Sequence, residues 1–478
     1  LNHVLKYRLS NFHMLKDIIS SSNDFTFNKI KINTNIDPFE IFKKIYLHYK
    51  NVFILESLTG PKELSEFSVI GFDPEFTIKC NRGLFKICKK TKIVYKKKVE
   101  DPLLELRRIM PIINEKKLRY IGGAVGYVSY EAIKFWEELP QKRSNNLFDL
   151  MEFGIYTDGL IHDKSDNITY YFHIGKKSRL NELKKIIDSK KPILTKGITY
   201  TKPVSETTKR RFISNVKKAK EYVYEGEVFQ VVISRKFKFR IYGDPMTLYH
   251  YLRRLNPSPY MYFFKRNKRV IIGSSPEMLL RVINNKIETF PIAGTRPVTN
   301  RESVNRKLKN DLLRDKKELA EHTMLVDLAR NDLGKICKFG SVQPKELMIV
   351  KRFSHVQHLV SHIVGNLDDK YDCFDAFRSL FPAGTVSGAP KVRAMEIISE
   401  LEKSARGPYA GALGYFSFNG CCDFAIIIRS LFINGKNAFI QSGAGIVMDS
   451  VPTNEFLETE HKAGALFSAM HAAHSLPK

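Results

Sequence analysis

Cysteine is scarce in this sequence, and its spacing excludes the frameworks that cysteine usually builds. The six cysteines include no Cys-x-x-Cys pair. That spacing argues against a zinc ribbon or a disulfide-stapled secreted domain and suits a reducing compartment. No apolar run approaches the roughly 20 residues of a membrane-spanning helix, and residues 1–8 lack the apolar core of a signal peptide. We therefore predict no membrane association and a cytoplasmic location, with an organelle interior such as a plastid as the alternative.

Acidic residues are also in deficit. The chain has 50 Asp and Glu against 78 Lys and Arg, a formal net charge of +28. Such an excess of positive charge is typical of proteins that bind nucleic acid. However, the basic clusters at 89–92 and 96–98 lie among Ile, Val and Tyr in strand-like segments, and no nucleic-acid-binding motif accompanies them. We expect no nucleic-acid partner, because a basic surface attracts small anionic substrates equally well.

The pattern along the chain mixes strands with helices. The 478 residues, 43% of them hydrophobic, suffice for a large core. Up to about residue 197, short apolar strands alternate with turns, as at 52–55, 67–71 and 168–172. Beyond residue 205, helical periodicity is found over 209–225, 311–328 and 455–471, with a buried-looking strand at 228–233. We predict an α+β fold.

Two acidic doublets stand out in the second half of the chain. Glu318 and Glu321 form one, and Glu455 and Glu458 form the other. Residues three apart share one face of a helix, and such a pair alone is usually a solvated face. Two carboxylate faces brought together would make the oxygen-rich site that Mg2+ prefers. Between them lie glycine-rich segments at 381–390 and 441–447, whose glycines let backbone approach an anion. This outlines a metal-assisted enzyme acting on a carboxylate substrate.

The chain from about residue 205 to 470 contains a dense, ordered series of motifs. They lie at 226–232, 273–277, 291–296, 320–332, 356–360, 381–395, 406–409, 426–430, 443–447 and 455–463. Together they resemble the chorismate-utilising enzymes, most closely the anthranilate synthase component I group. The resemblance implies a large two-lobed chorismate-binding fold, in which packed antiparallel sheets are flanked by helices.

The resemblance also implies roles for the acidic doublets and for a histidine. Glu321 and Glu458 match direct ligands of Mg2+, and Glu318 and Glu455 match the residues that hold its waters. The metal would bind the ring carboxylate of chorismate and activate the ring toward attack at C2. His358 matches the group that protonates the departing C4 hydroxyl.

Further matches imply contacts with the substrate. Arg429 and Tyr409 resemble anchors for the enolpyruvyl carboxylate, since a planar cationic fork suits a carboxylate. Lys462, one helical turn beyond Glu458, would serve the same anion, although a plain ion pair with Glu458 is the alternative. The remaining matches are contacts through hydroxyl and backbone N–H groups, at Thr295, Thr385, Gly443 and Gly445.

Two positions select a member of the family. Aminodeoxychorismate synthases carry a nucleophilic lysine where this chain has Ala293, and isochorismate synthases carry a water-activating lysine where it has Gln230. We place Gln230 with His358 and Thr385 in the catalytic group. The resemblance then implies a Mg2+-dependent carbon–oxygen lyase that converts chorismate and ammonia to anthranilate and pyruvate, the first committed step of tryptophan biosynthesis. The alternative is the aminodeoxychorismate synthase of folate biosynthesis.

The resemblance implies two further partners. Ammonia would come from glutamine through a separate amidotransferase subunit. Tryptophan would inhibit by feedback in a pocket formed by Glu56, Ser57, Pro259, Tyr260 and Met261. We therefore divide the chain into an N-terminal region, 1–200, with this pocket and a chorismate-binding catalytic domain, 205–470.

Overall fold

The computed structural model describes residues 26–34, 36–60, 67–140, 147–189, 197–353 and 356–474. Numbered along the chain, its strands are β1 Phe27–Ile32, β2 Asn51–Glu56, β3 Phe67–Phe72, β4 Phe76–Asn81, β5 Leu84–Lys89, β6 Lys92–Lys98, β7 Gly123–Val128, β8 Met151–Tyr156, β9 Asp158–Asp163, β10 Ile168–Ile174, β11 Ile198–Tyr200, β12 Val204–Ser205, β13 Gln230–Gly243, β14 Tyr260–Arg266, β15 Arg269–Ser275, β16 Met278–Ile283, β17 Lys286–Thr289, β18 Ile292–Pro297, β19 Gln343–Arg352, β20 Val356–Asn366, β21 Gly388–Ala389, β22 Ala412–Ser417, β23 Cys422–Ile426, β24 Ser430–Asn434 and β25 Asn437–Ile446. The helices are α1 Pro38–His48, α2 Pro102–Ile109, α3 Leu180–Asp188, α4 Lys209–Tyr224, α5 Pro245–Leu255, α6 Glu302–Arg314, α7 Lys316–Gly334, α8 Cys373–Leu380, α9 Gly384–Ser387, α10 Lys391–Leu401 and α11 Pro452–His474, with a 3₁₀ helix at Tyr130–Phe135.

The strands form two large antiparallel sheets. The first has the order β1-β10-β9-β3-β2-β14-β15-β24-β25-β13-β11, with β12 and β21 also paired to β13. The second has the order β18-β20-β17-β16-β23-β22-β7-β8-β4-β5-β6, with β19 paired to β20. The predicted α+β class, with packed antiparallel sheets flanked by helices, is confirmed.

The first sheet buries both of its faces. Phe53 and Phe264 belong to the core that also contains Tyr127 of the second sheet, whereas their neighbours Ile54 and Phe263 pack in a separate cluster with the helices. Successive strand residues point to opposite faces, so a strand between two apolar layers must be apolar on both sides. This explains why β2 and β14 are nearly continuous hydrophobic runs.

Both sheets cross the boundary that the sequence suggests near residue 200. In the first sheet β2 pairs with β14, so that Glu56 lies opposite Met261. In the second sheet β7 pairs with β22. Strands from both segments are thus hydrogen-bonded to one another in each sheet. The division into an N-terminal region and a catalytic domain stays a prediction. Among the described residues, no helix is both long and apolar enough to cross a membrane.

One helix prediction is wrong in a way that affects the site. The segment 311–328 was predicted as one helix, but α6 ends at Arg314 and α7 begins at Lys316. The carboxylate of Asp315 accepts hydrogen bonds from the backbone N–H groups of Lys317 and Glu318, which ends one helix and caps the next. As a result Glu318 lies in the first turn of α7, where the helix dipole favours a carboxylate.

Candidate active site

One cavity of about 760 Å³ collects the residues that the sequence predicts for chemistry. It lies where β13, β18, β20 and β25 meet α7, α9 and α11. Every residue predicted for catalysis, substrate binding or the metal lines it: Gln230, Thr295, Glu318, Glu321, His358, Thr385, Tyr409, Arg429, Gly443, Gly445, Glu455, Glu458 and Lys462. The roles themselves stay predictions, but the fold brings residues as far apart in the sequence as Gln230 and Lys462 into one site.

The two acidic doublets meet in this cavity from different helices. Burial raises the pKa of Glu321, and the charges of Glu318 and Glu458 raise it further. Burial also raises the pKa of Glu455 to about 7, with the charge of Glu458 adding to the effect. These two raised pKa values indicate concentrated negative charge in the cavity, and a cation placed there would relieve it.

Some of these carboxylates already have an ion-pair or hydrogen-bond partner within the protein. Arg296 lies 3.4 Å from Glu318, Lys462 lies 2.6 Å from Glu458, and the side-chain amide of Gln230 donates to Glu321 at 3.1 Å. Within the described ranges, no three His, Cys, Asp or Glu side chains converge closely enough to hold a metal ion. The donor set is nevertheless all oxygen and electron-rich, as Mg2+ requires. The residues therefore fit the ion chemically, although their carboxylates would have to draw together around it.

The glycines of β25 leave room for functional side chains. Gly443 and Gly445 pair with Ser234 and Val232 of β13. A Cβ atom at Gly443 would lie 2.9 Å from the hydroxyl of Tyr409, and one at Gly445 would lie 2.2 Å from Nε2 of Gln230. The carbonyl of Gly443 also accepts a hydrogen bond from Lys462 at 3.1 Å. Two of the positions predicted to touch substrate thus also allow Tyr409 and Gln230 to lie where they do.

We expect Gly445→Ala to lower kcat/KM for the substrate about 10- to 50-fold. The added methyl group would displace Gln230 and break its hydrogen bond to Glu321, and small misplacements of this kind are costly to catalysis. Gly464→Ala is the matched control, because a Cβ there meets nothing within 4 Å and alanine favours the helix. Steady-state kinetics of both variants test this expectation, and equal activity would contradict it.

His358 is buried in the cavity, and only one of its two ring nitrogens has a hydrogen-bond partner among the described residues. Its Nδ1 lies 3.0 Å from the carbonyl oxygen of Gly294 and 3.1 Å from the hydroxyl of Thr295. Because a carbonyl oxygen only accepts, Nδ1 carries the hydrogen and Nε2 carries the lone pair. Nε2 is buried and has no hydrogen-bond partner in the part of the chain that the structure describes. Burial lowers the pKa of His358 to about 4, so the ring is uncharged near neutral pH.

Glu277 is a functional candidate that the sequence prediction missed. It is buried immediately before β16, and it lines the cavity with Thr385 and Arg429. Burial raises its pKa to about 7, against the lowering effects of the Thr385 hydroxyl, Lys462 and Arg429. A carboxyl group that keeps its proton near neutrality can act as an acid. Its place in the motif at 273–277 was visible, but its burial was not.

Arg429 and Tyr409 lie where anchors for an anion are expected. The backbone of Arg429 has φ of 48°, a left-handed conformation that is uncommon for a residue with a side chain. Burial lowers the pKa of Arg429, and the charge of Glu277 opposes that shift. Tyr409 is only 3% exposed. Both side chains line the cavity, where a partly buried guanidinium and a buried phenol can each donate hydrogen bonds to a carboxylate.

Comparisons with known proteins show the family of this chain. The family model described as chorismate binding enzyme matches residues 50–468. The chain belongs to that family. Among its curated relatives are the "Anthranilate synthase component 1" proteins of Methanothermobacter marburgensis, 46% identical over 91% of this chain and 93% of the relative, and of Saccharolobus solfataricus, 41% identical over 91% and 97%.

Solved structures of chorismate-related enzymes share the fold. Anthranilate synthase component I from Streptococcus pneumoniae superimposes with a TM-score of 0.75 at 34% identity, covering 86% of this chain and 93% of that one. The isochorismate synthase MenF from Escherichia coli superimposes with a TM-score of 0.71 at 19% identity, covering 96% and 100%, and it shows the fold alone. The resemblance inferred from the motifs is thereby confirmed.

The residues predicted to receive tryptophan also lie together. Glu56, Ser57, Pro259, Tyr260 and Met261 all line a second, small cavity of about 50 Å³ between the sheets. This volume is well below the roughly 300 Å³ or more of typical ligand sites. An amino acid could therefore enter only if the walls moved apart.

Glu56 is already paired within that second cavity. Its carboxylate accepts hydrogen bonds from the guanidinium of Arg253 at 2.6 and 2.8 Å and from the hydroxyl of Tyr249 at 2.6 Å. The hydroxyl of Ser57 is buried and has no partner among the described residues. Ser57 is thus better placed than Glu56 to bind a new ligand without breaking an existing contact.

A series of backbone and side-chain hydrogen bonds connects the small cavity to the large one. The N–H of Leu58 donates to the carbonyl of Ser258 at 3.1 Å, and the hydroxyls of Ser258 and Ser274 lie 2.8 Å apart. The N–H of Ser274 then donates to the carbonyl of Arg429 at 3.2 Å. A displacement at residues 57–58 therefore has a short route to the predicted substrate anchor.

Proposed function

We propose that the protein is the large subunit of an anthranilate synthase, which converts chorismate and ammonia to anthranilate and pyruvate. The observation that carries this proposal is the single cavity that two pairs of carboxylates line together with Arg429, Tyr409 and Glu277. The identity to anthranilate synthase component 1 proteins, 35–46% over most of the chain, supports it. The reaction is the first committed step toward tryptophan.

The metal site is part of the proposal. Glu321 and Glu458 would hold Mg2+, and Glu318 and Glu455 would hold its waters. When bound, the ion would neutralise the ring carboxylate and withdraw charge from the conjugated ring, which favours nucleophilic attack. The raised pKa values of Glu321 and Glu455, to which the charges of neighbouring carboxylates contribute, support a cation among them.

In the first step, ammonia forms a bond to C2 of the ring and the C4 hydroxyl leaves as water. The leaving hydroxyl needs a proton, and we assign its donor as Glu277, whose pKa near 7 keeps a proton available. The sequence resemblance gives this role to His358, and that role stays a prediction. The lowered pKa of His358 disfavours it, because an uncharged ring with a free Nε2 has no acidic proton to give.

In the second step, C2 loses its proton and the enolpyruvyl C–O bond breaks, so that the ring becomes aromatic and the departing enolpyruvate takes up a proton to become pyruvate. The unprotonated Nε2 of His358 is the base in the cavity suited to accept that proton. Gln230 and Ala293 provide neither a base for water nor an amine nucleophile, and both line the cavity. Ammonia brings its own lone pair and needs no such residue.

Incubation with nitrogen-15 ammonium tests the proposed reaction. Chorismate, Mg2+ and labelled ammonium should give one aromatic product, anthranilate, with one labelled nitrogen by mass spectrometry. A hydroxylated, unlabelled product would mean that water is the nucleophile. A labelled product that is not aromatic would favour the aminodeoxychorismate synthase alternative.

The proposal includes a partner and an inhibitor. Ammonia would be supplied in the cell by a separate glutamine amidotransferase subunit, which the designation "component 1" of the relatives supports. Tryptophan would bind in the cavity around Ser57 and act through the hydrogen bonds that reach Arg429. A cytoplasmic location stays a prediction.

We expect Ser57→Ala to raise the inhibition constant for tryptophan about fivefold. The variant loses a buried hydroxyl that is free to bind a ligand, and one hydrogen bond contributes about 1 kcal/mol. Uninhibited activity should not change, because Ser57 does not line the catalytic cavity. Ser68→Ala, a buried hydroxyl on β3, is the control. Equal inhibition of both variants and the wild type would contradict tryptophan binding at Ser57.

A further inference from the structure

Arg406 is a completely buried arginine just outside the catalytic cavity. It lies between α10 and β22 and is 1% exposed. The described residues that line the cavity include neither Arg406 nor its partner Glu402. A buried charge is costly unless it is fully paired. The hydrogen-bond partners of this guanidinium therefore indicate which segments it holds in place.

The guanidinium joins three separate segments of the chain. It donates to the carbonyl of Val386 at 2.7 Å and to the carbonyl of Val232 at 2.8 Å. It also pairs with both carboxylate oxygens of Glu402, at 2.7 and 3.0 Å. Val386 follows Thr385 directly, Val232 lies on β13 two residues after Gln230, and both valines line the cavity.

Arg406 also packs against the rings of two tyrosines. Its guanidinium carbon lies 4.6 Å from the ring centre of Tyr130 and 5.7 Å from that of Tyr409. The backbone N–H groups of Arg406 and Gly407 donate to the carboxylate of Glu131 at 2.5 and 2.9 Å. The loop that carries Tyr409 into the cavity is therefore fixed at its beginning.

Glu402 extends the network to another wall. One of its oxygens accepts from the N–H and the hydroxyl of Ser234, at 2.9 and 2.7 Å. That hydroxyl in turn accepts from the side-chain amide of Gln441 at 2.8 Å, and Gln441 lines the cavity beside Gly443. Directly or through Ser234, the side chains of Arg406 and Glu402 are therefore hydrogen-bonded to α9, β13 and β25. Arg406 itself lies at the beginning of the loop that carries Tyr409.

We propose that Arg406, paired with Glu402, is a positioning residue for chorismate. It sets the distance between the Thr385 segment, the Gln230 strand and the Tyr409 anchor without touching the substrate. Buried ion pairs contribute little to stability compared with apolar packing, whereas a rigid planar fork fixes geometry in a way that lysine cannot reproduce. This inference rests on the proposed function of the cavity.

Arg406→Lys tests the proposal, with Arg393→Lys as its matched control. Arg393 also pairs with two glutamates, Glu227 and Glu396, each at 2.6 Å, but on the surface. For Arg406→Lys we expect KM for chorismate to rise about tenfold and kcat to fall about tenfold. KM for ammonium at saturating chorismate should stay within about threefold. The control should match the wild type.

The measurement is made on protein shown by circular dichroism to be folded at the assay temperature. A lower melting temperature with unchanged kcat and KM per folded molecule would mean a purely structural role and would overturn the proposal. If Arg406→Lys does not fold, Glu402→Gln is measured in its place. We then expect KM for chorismate to rise several-fold, and an unchanged KM would overturn the proposal. Wild-type protein that makes no anthranilate would refute the proposed function instead, so the two failures are distinct.

Discussion

Glu321→Gln is expected to lower Mg2+-dependent turnover by about 10³-fold or more while leaving the fold intact. Glu321 lies on α7, where the charges of Glu318 and Glu458 raise its pKa and the side-chain amide of Gln230 donates to it. The amide keeps the shape of the side chain but removes the charge that would bind the ion, and metal activation contributes several kcal/mol to such reactions. A loss of 10³ corresponds to about 4 kcal/mol. Steady-state turnover across a Mg2+ titration measures it.

Asp327→Asn is the control for that prediction. Asp327 lies on the same helix, but its side chain is mostly exposed and is paired with Arg330 at 3.3 Å. The control should behave as the wild type at every Mg2+ concentration. Full activity of Glu321→Gln at saturating Mg2+ would show that Glu321 is not a ligand.

Glu277→Gln is expected to lower kcat about 10²- to 10³-fold and to change the pH profile. Burial raises the pKa of Glu277 to about 7. Its acid form therefore predominates below that pH and decreases about tenfold for each unit above it. The wild-type rate, measured at a fixed concentration of unprotonated ammonia and at saturating Mg2+, should follow this decrease. The glutamine variant should lose the decrease, because it has no proton to titrate.

Glu400→Gln is the matched control for Glu277. Glu400 is exposed on α10 and pairs with Lys218. That variant should keep both the rate and the pH profile of the wild type. A wild-type profile that is retained in Glu277→Gln would assign the acid to another group, and His358 would then be the first to test.

The sequence predicted which residues form the site better than it predicted whether they are protonated. The spacing of Glu318 and Glu321, and of Glu455 and Glu458, predicts two carboxylate faces, and the motifs place them in one family. The protonation of Glu277 and His358 depends on burial between sheets whose strands are far apart in the sequence. No local pattern in the sequence encodes that burial, so the proposed acid and the proposed base could be chosen only from the three-dimensional structure.

The same limit applies to predicting the fold, because contacts between distant segments cannot be read from a local pattern. Long amphipathic stretches such as α4 and α11 were predicted with nearly correct bounds, because their periodicity is local. The break at Asp315 was missed because its cap also involves Arg296, whose guanidinium lies 2.8 Å from Asp315. Arg406 lies in a motif noted from the sequence, but its contacts with Val232 and Val386 come from distant segments.

The most direct test of the central claim measures anthranilate and pyruvate together. Purified protein is supplied with chorismate, Mg2+ and excess ammonium at mildly alkaline pH, and anthranilate fluorescence is followed beside pyruvate release. We predict equal amounts of both products, with neither formed when Mg2+ is withheld. Chorismate consumed without pyruvate would contradict the assignment, since it would mean that the second, aromatising step does not occur in this cavity.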